Sequence, residues 1–260
     1  MRVWDLGPGR LMVSGWSGDL AVHHHPAVQV GVGTKGPLTV TDGEGTHNTC
    51  RLVVVASGTR HAVCSDAGSA ALSLYLGPTT PEGIALNALS RALTQHSGIW
   101  IVGSGEKLAD ATAASLTASG PRAAADFLVS ELCRLSDAGP ESGPWVHPQL
   151  RQAIELISRS LPGAIDLASV AGAVALSSDY LGRLCRQQTG ASFSATTRWV
   201  RLLTALRYLA NGVPVTDAAH LAGFADGSHA NRVCWEMAGA PPCDFARALA
   251  ASHVPTPLGV

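Results

Sequence analysis

The sequence lacks the features that mark several common classes of protein. Its 260 residues contain no run of eighteen apolar residues, and the first ten, MRVWDLGPGR, do not have the pattern of a signal peptide. The six cysteines are scattered without a CxxC pair, which indicates reduced thiols rather than a disulfide framework. Charged residues make up only 14% of the chain and the net charge is −1, so the total composition indicates neither a strongly basic nucleic-acid binder nor an acidic disordered chain. We therefore expect a cytoplasmic protein without a membrane partner.

The few charges that are present are distributed unevenly. Residues 1–146 carry 9 Lys and Arg against 12 Asp and Glu, whereas residues 147–260 carry 9 against 7. All nine cations of the second part are arginines. Arginine binds phosphate or guanine through two parallel hydrogen bonds, which lysine does not do. The C-terminal part is therefore suited to a nucleic-acid partner.

The apolar pattern predicts an α+β protein of two domains. Residues 1–78 consist of short apolar or alternating runs separated by Gly, Pro, Asp and Ser, as expected for the strands of a β-sandwich or barrel. The pattern then becomes helical, with one further strand in IWIVGSG. The stretch AGPESGPWVHP has the composition of a linker, and every segment after it is predicted as helix. We place a strand-rich domain at 1–143 and an all-helical domain at 147–260.

Two predicted helices of the first domain, 81–96 and 121–136, carry apolar stripes that must be buried. Two arrangements satisfy this requirement. The helices form the interface of a homodimer, or they fold onto the strands of their own chain. The sequence does not decide between the two, and a homodimer is the state we expect.

The last third of the chain contains the same two-helix pattern twice. In IDLASVAGAVALSSDYLGRLCRQQTG, Asp166 and Ser177 are suited to cap two helices that are joined by the short turn ALS. The pattern returns in VTDAAHLAGFADGSHANRVCWEM, so we place the units at about 166–188 and 215–237. Between them, SATTRWVRLLTALRYLAN predicts a helix of about 27 Å, and successive major grooves on one face of DNA lie about 34 Å apart. Such a helix can hold two recognition helices one turn of DNA apart.

These segments resemble the DNA-binding domain of AraC-type bacterial transcription regulators. The resemblance covers LASVAGAVALSSDYLGRLCRQQTGASFSATTRWVRLLTALRYLANG and VTDAAHLAGFADGSHANRVCWEMAGAPPCDFAR, with both units, the linking helix and the closing segment in order. It implies a regulator rather than an enzyme, with double-stranded DNA as partner and RNA polymerase as a second partner if the protein activates transcription. The residues expected to face DNA lie on the outer sides of the two second helices: Ser178, Asp179, Gly182, Arg183, Arg186, Gln187, Gly227, Ser228, His229 and Arg232. We expect Arg183 to carry most of the base recognition.

The second unit departs from the family pattern at two places. Ala230 follows the histidine where the family usually has a large apolar residue, and CWEM stands where it usually has Phe and basic residues. Trp235 and Glu236 reduce the positive charge expected near the phosphates. We therefore expect this unit to bind DNA weakly, or through His229 and Arg232 only.

AraC-type regulators commonly carry a cupin-like β-barrel that binds an effector, and the N-terminal strands fit that expectation. In HHHPAVQVGVGTKG the spacing of His23, His25 and Gln29 follows the cupin pattern, and ASGTRH supplies His61. Alternate residues of a strand face the same side, so His23 and His25 point together. The resemblance implies that these four residues bind a divalent transition metal such as Fe, Mn, Ni, Cu or Zn. Gln in place of the usual Glu, and Ala56 in place of a proline, depart from the cupin pattern.

Several interpretations stay open at this stage. The histidines bind a metal, or they line a small-molecule effector pocket without metal. In either case the N-terminal domain senses a signal for a sequence-specific, DNA-binding transcription regulator, and no other cofactor is expected. The rival function is a metal-dependent cupin enzyme, an oxygenase or isomerase, that uses His23, His25 and His61. A helical protein-interaction adaptor is a third possibility, and it predicts no salt-sensitive DNA binding.

Overall fold

The computed structural model describes most of the chain: residues 1–15, 20–65, 69–95, 97–135 and 146–250. The expected linker lies for the most part outside these ranges, so the predicted domain boundary stays a prediction. The strands are β1 (Arg2–Asp5), β2 (Arg10–Ser14), β3 (Val28–Lys35), β4 (Leu38–Asp42), β5 (His47–Cys50), β6 (Leu52–Val55), β7 (His61–Ser65), β8 (Ala70–Leu76) and β9 (Ile99–Ile101).

These strands form two antiparallel sheets. The larger sheet has the order β1, β2, β8, β3, β6, β9, and the smaller sheet has the order β5, β4, β7. Leu38 and Val63 of the smaller sheet belong to one buried cluster with Val53 and Val55 of the larger sheet, so the two sheets share a core. The apolar run TCRLVVVAS contains the end of β5 and the whole of β6, and the chain passes from one sheet to the other at Arg51.

Strand β3 is buried on both of its faces. Its first six residues are buried, unlike those of a strand with one face in water. Val28, Val30 and Val32 pack into the cluster beneath the helices of this domain. Gln29 and Gly31 alternate with them and therefore face the other way, into the space between the two sheets. This alternation places a polar amide inside the sandwich.

Two helices cover the outer face of the larger sheet. They are α1 (Pro81–Leu93) and α2 (Gly105–Arg134), and α2 is interrupted at Gly120, whose φ of 87° favours glycine. Leu128 and Leu132 of α2 are fully buried in the cluster that contains the valines of β3. The apolar stripes of the two helices are therefore buried against their own chain. Of the two arrangements that the sequence left open, folding onto the strands of the same chain accounts for the apolar stripes. The stripes therefore give no support to a homodimer.

The C-terminal part of the described chain is entirely helical, as predicted. Its helices are α3 (Pro148–Ser160), α4 (Leu167–Ala173), α5 (Ser178–Thr189), α6 (Phe193–Ala210), α7 (Val215–Leu221), α8 (Gly227–Ala238) and α9 (Pro242–Ala250). The predicted linking helix is α6, and it contacts α3, α5, α7, α8 and α9. Among the described helices, none is both long enough and apolar enough to cross a membrane. The α+β class with two successive architectures is thus confirmed.

The strand-rich and helical parts are in direct contact. Met1 and Leu11 of the strand-rich part belong to the same buried cluster as the apolar residues of α6 and α9. The Met1 amino group donates a hydrogen bond to the Ala248 carbonyl oxygen at 2.7 Å. Nε of Arg207 in α6 lies 3.0 Å from a carboxylate oxygen of Asp5 in β1. The helical part is therefore docked on the sheet.

Candidate nucleic-acid interface and metal centre

The first two-helix unit begins as its sequence predicts. Asp166 caps α4 by accepting hydrogen bonds from the N–H groups of Ala168 at 2.9 Å and Ser169 at 3.0 Å. Ser177 caps α5 by accepting a hydrogen bond from the Tyr180 N–H at 3.2 Å. These side chains satisfy N–H groups that a helix leaves without intrahelical partners at its start. Both predicted caps are present.

The turns of the two units have the same hydrogen-bond pattern. In each turn a backbone N–H donates to the carbonyl oxygen five residues earlier, at 2.9 Å in the first unit and 3.0 Å in the second. The residue before that N–H is left-handed, and it is Ala175 (φ 56°) in the first unit and Gly223 (φ 81°) in the second. Asp226 then caps α8 by accepting from the His229 N–H at 2.6 Å. The repeat seen in the sequence is thus a structural repeat.

The ten residues expected to face DNA lie on the surface of α5 and α8. Seven are exposed: Asp179, Arg183, Arg186, Gln187, Gly227, Ser228 and Arg232. Ser178, Gly182 and His229 are half-buried. Neither Arg183 nor Arg232 forms an ion pair with a carboxylate of the described residues. The Arg183 guanidinium lies 5.9 Å from the centre of the Tyr180 ring. Contact with DNA stays a prediction for all ten.

The residues of the second unit that depart from the family pattern have different environments in the structure. Glu236 forms an ion pair with Arg198 of α6, so its charge is balanced within the helical part. Trp235 is 46% exposed on α8, and no contact with a described residue explains its presence there. Ala230 is buried and borders an apolar cavity of about 60 Å³, so the small side chain leaves the core of this unit incompletely filled.

The four residues predicted as metal ligands meet inside the sandwich. His23 and His61 face each other in an isolated antiparallel bridge, where each backbone N–H donates to the other residue's carbonyl oxygen at 2.9 Å. His23, His25, Gln29 and His61 are only 1–2% exposed. One ring nitrogen of each histidine lies within 4.8 Å of a ring nitrogen of the other two. His24 is half-buried and lies outside this group, which we call the histidine centre.

A backbone carbonyl group fixes the proton on each ring of the histidine centre. Nδ1 lies close to the carbonyl oxygen of a residue two positions away in all three cases: Ala21 at 2.9 Å for His23, Ala27 at 3.2 Å for His25, and Thr59 at 2.8 Å for His61. A carbonyl oxygen only accepts hydrogen bonds, so each neutral ring carries its proton on Nδ1 and has an unprotonated Nε2. This is the orientation in which histidines bind metal ions, since a second-shell acceptor holds the ring.

Gln29 completes the set of donor atoms. Its Oε1 lies 2.8 Å from Nε2 of His61 and 3.2 Å from Nε2 of His25, and its amide nitrogen donates to Oγ of Ser73 at 3.1 Å. In this orientation Oε1 of Gln29 and the unprotonated Nε2 atoms of His25 and His61 face one another, and no hydrogen lies between them. A cation bound among them would accept a lone pair from each of the three atoms. A rotation of the amide by 180° presents its N–H groups to the same imidazoles and satisfies them without a cation. The residues therefore fit both a divalent transition metal and a metal-free state.

Burial keeps these histidines neutral. Loss of hydration lowers the pKa of His23 to about 4 and the pKa of His25 to about 3, and for the same reason the pKa of His61 is well below its usual value. A positive charge on one ring also opposes a charge on the next. At neutral pH the three rings are unprotonated at Nε2, as metal binding requires.

Two aromatic residues that the sequence did not identify enclose the histidine centre. Trp199 of α6 stacks on the His25 ring, with centroids 4.7 Å apart and planes 25° apart. Tyr75 of β8 meets the His25 ring edge-on at 5.3 Å. Trp199 is only 3% exposed. In the sequence, Trp199 has the position of an ordinary core residue of an amphipathic helix. No local pattern in α6 indicates a contact with a histidine 174 positions earlier.

Comparisons with known proteins place this arrangement among characterised folds. The helix-turn-helix domain family matches residues 170–248. A comparison with curated proteins finds no significant match. Among solved structures, an apo form of a ToxT point variant from Vibrio cholerae strain SCE256 is similar with a TM-score of 0.65 and 12% identity, over 94% of this chain and 98% of that chain.

Two further ToxT structures from Vibrio cholerae are similar in fold. Wild-type ToxT bound to an unsaturated fatty acid has a TM-score of 0.59 and 12% identity, over 93% of this chain and 95% of that chain. ToxT from O395 bound to (E)-4-(8-methylnaphthalen-1-yl)but-3-enoic acid has a TM-score of 0.61 and 10% identity, over 93% of this chain and 100% of that chain. At such low identity the likeness concerns the fold alone.

The architecture and the family match together define a helix-turn-helix transcription regulator with a strand-rich domain in front. The match at 170–248 covers both two-helix units and the helix between them, which confirms the expected AraC-type DNA-binding domain. Residues 170–248 are therefore a helix-turn-helix domain of the AraC type, and the chain is a DNA-binding transcription regulator.

Proposed function

We propose that this regulator is cytoplasmic and that its N-terminal domain senses a divalent transition metal at the histidine centre. The observation that carries the proposal is the convergence of buried imidazoles whose Nδ1 atoms are all held by backbone carbonyl groups. His23, His25, His61 and the Gln29 amide oxygen would hold the ion, a donor set that suits Zn, Ni, Cu, Fe or Mn. Through His23, His25 and His61, the loop of His23 and His25 and strand β7 would both be held at the bound ion.

Metal binding is tested with the purified full-length chain. After treatment with a chelator and reloading with Zn²⁺, we expect about one ion per chain by elemental analysis and calorimetry. His61→Ala should abolish binding, because it removes a ligand. His24→Ala is the matched control, since His24 lies outside the histidine centre, and it should bind like the wild type. Undiminished binding by His61→Ala would overturn the metal site.

The proposed DNA-binding surface is the outer face of α5 and α8. Arg183→Ala should weaken binding to a selected operator by about 1–3 kcal/mol, because a guanidinium that pairs with a base contributes that much discrimination. Arg122→Ala on α2 removes an exposed arginine outside this surface and should change binding little. Fluorescence anisotropy at one fixed salt concentration measures both. Equal operator affinity of Arg183→Ala and the wild type would exclude Arg183 as a reader.

An apolar acid is the second candidate effector. One of the similar ToxT structures is bound to an unsaturated fatty acid. In this chain, a cleft of about 700 Å³ separates α3 and α6 from the turns of the strand-rich part, a volume usual for ligand sites. Ile154 and Val200 give the cleft apolar walls, and Arg151 supplies positive charge. Arg159 also lines the cleft, where it lies 3.5 Å from the Glu155 carboxylate. A thermal shift by a long-chain fatty acid that Arg151→Ala abolishes would support this effector, and no shift would remove it.

Catalysis by a cupin-type metal site is not proposed. The candidate ligands are almost completely buried, and Trp199 covers His25, so a substrate reaches the centre only if the domains separate. Turnover of a small substrate by the metal-loaded chain would contradict this assignment. Homodimerisation and contact with RNA polymerase stay predictions, and light scattering on the purified chain tests the first of them.

A further inference from the structure

The two loops that carry the histidines of the centre are each attached to one recognition helix. The first loop, residues 21–25, carries His23 and His25, and the second, residues 57–61, leads into His61. The loops are also joined to each other, since the Gly58 N–H donates to the His25 carbonyl oxygen at 2.9 Å. Each loop therefore connects the histidine centre to the other elements that the loop contacts.

The second loop holds the C-terminal end of α5. Oγ of Ser57, which is 2% exposed, donates a hydrogen bond of 2.5 Å to the Thr189 carbonyl oxygen at the end of that helix. Gly58 adjoins Gly190, the left-handed residue that ends α5. A side chain at position 58 would place Cβ 3.4 Å from the Gly190 carbonyl oxygen, so the backbones are close.

The first loop holds the C-terminal end of α8. The Ala21 N–H donates to the Gly239 carbonyl oxygen at 2.9 Å, and the His24 N–H donates to the Glu236 carbonyl oxygen at 3.2 Å. Gly239 is left-handed, with φ of 73°. A Cβ atom there would lie 2.5 Å from the Ala21 carbonyl oxygen and 2.7 Å from Nδ1 of His23. The end of the second recognition helix is thus in contact with a candidate metal ligand.

Helix α6, which separates the two recognition helices, also contacts the histidine centre, because Trp199 stacks on His25. The histidine centre therefore contacts α6 directly and lies against the end of α8, and the loop that leads into His61 contacts the end of α5. The hydrogen bonds described above involve the C-terminal ends of α5 and α8. The N-terminal turns, with exposed residues such as Asp179 and Ser228, stay open to solvent. Recognition helices contact bases mainly through their N-terminal residues, so the docked arrangement is compatible with DNA binding.

We propose that metal binding at the histidine centre fixes the separation of the two recognition helices and thereby strengthens binding to a full operator. This inference rests on the proposed metal-sensing function. Without the ion, the two loops are joined by backbone hydrogen bonds and ring contacts. Part of the free energy of DNA binding then goes into restricting their motion. With the ion, the loops are ordered before DNA arrives. Ser57 and Gly239 act as positioning residues in this coupling.

The test uses the full-length chain with Zn²⁺ as the probe. We expect Zn²⁺ to tighten binding to a two-half-site operator by about 5- to 20-fold, within the usual range of coupling between sites. Because coupling is reciprocal, the operator should tighten Zn²⁺ binding by the same factor. On DNA with a single half-site, the separation of the helices does not matter, so Zn²⁺ should change the affinity less than about twofold. This last comparison needs no variant and distinguishes coupling from general stabilisation.

Ser57→Ala tests the route of the coupling. The substitution removes the hydrogen bond to α5 without changing a metal ligand or a DNA-facing residue. The affinity for Zn²⁺ should therefore equal that of the wild type, whereas Zn²⁺ should increase the affinity for the operator by less than about twofold. Ser130→Ala on the exposed side of α2 is the control and should keep the full effect.

The outcomes separate the two proposals. If the wild type does not bind Zn²⁺, both the metal-sensing function and this coupling are wrong. If it binds Zn²⁺ but the operator affinity is unchanged or weakened, the coupling alone is wrong. Equal effects on one and two half-sites, or a full effect in a folded Ser57→Ala protein, also overturn it.

Discussion

The indole ring of Trp199 and the imidazole ring of His25 are stacked 4.7 Å apart across the boundary between the two architectures of this protein. Trp199 belongs to the helix that joins both helix-turn-helix units. His25 belongs to the loop that bears two of the three buried histidines. One ring contact therefore connects the DNA-binding part of the chain with the part proposed to bind metal.

Trp199→Ala should lower the free energy of unfolding by about 3–5 kcal/mol, because it removes a buried indole from the shared core and leaves a cavity. Urea denaturation of the metal-free protein measures the change. Trp235→Ala is the matched control, since Trp235 is 46% exposed and its loss should change stability by about 0.5 kcal/mol or less. Similar losses for the two variants would show that Trp199 does not hold the domains together.

Ala175→Gly should stabilise the first helix-turn-helix unit by about 0.5–1 kcal/mol. Ala175 is left-handed, which strains an L-residue, and the gain is partly offset by the greater freedom of glycine in the unfolded chain. The reciprocal change, Gly223→Ala in the second unit, should destabilise by about 1 kcal/mol or more. Its Cβ atom would lie 2.8 Å from the Pro162 carbonyl oxygen. Thermal unfolding measures both, and a destabilised Ala175→Gly protein would contradict the prediction.

Local sequence signals determine most of the helical part. Each unit has a capping side chain, an apolar stripe and a short turn within about twenty-five residues, so its structure does not depend on distant contacts. The metal-ligand candidates were also predictable, because His23, His25 and Gln29 lie close together in the sequence. His61 was found through a second short motif.

Features that depend on distant partners were not predicted. Strand β1 has only four residues and is defined by its pairing with β2. The first half of α2 was missed although Leu108, Thr112 and Leu116 are spaced four apart, since its many small residues give little contrast between faces. The separation of β5 from β6 at Arg51 depends on which sheet each strand joins. The contact of Trp199 with His25 likewise exists only after the domains dock.

Gln29→Glu should increase affinity for Zn²⁺ by on the order of tenfold, because a carboxylate carries the negative charge that an amide lacks and meets the ion in a poorly hydrated interior. In the metal-free protein the same change should be destabilising, since it buries a charge among neutral rings. Gln152→Glu on the exposed side of α3 is the control and should alter neither property. Calorimetric titration with Zn²⁺ measures the affinity, and weaker binding by Gln29→Glu would show that position 29 does not face the ion.

The metal-free protein should lose stability as the pH falls below about 6.5. Burial lowers the pKa of His23 to about 4 and the pKa of His25 to about 3, and it lowers the pKa of His61 as well. In the unfolded chain these groups take up protons near pH 6.5. Between that pH and the folded pKa values, the unfolded state therefore binds more protons, and acid favours unfolding.

Each histidine contributes up to about 1.4 kcal/mol per pH unit in this window, so three give a maximum slope of about 4 kcal/mol per pH unit. The effect is absent above pH 7.5, where both states are neutral at these rings. Urea denaturation in the presence of a chelator, at pH 7.5, 6 and 5, measures the slope. His25→Gln should reduce the slope by the contribution of one proton, about 1.4 kcal/mol per pH unit. Equal stability of the wild type at pH 7.5 and pH 5 would mean that the rings are hydrated rather than buried, and Zn²⁺ should then bind no more tightly than to surface histidines.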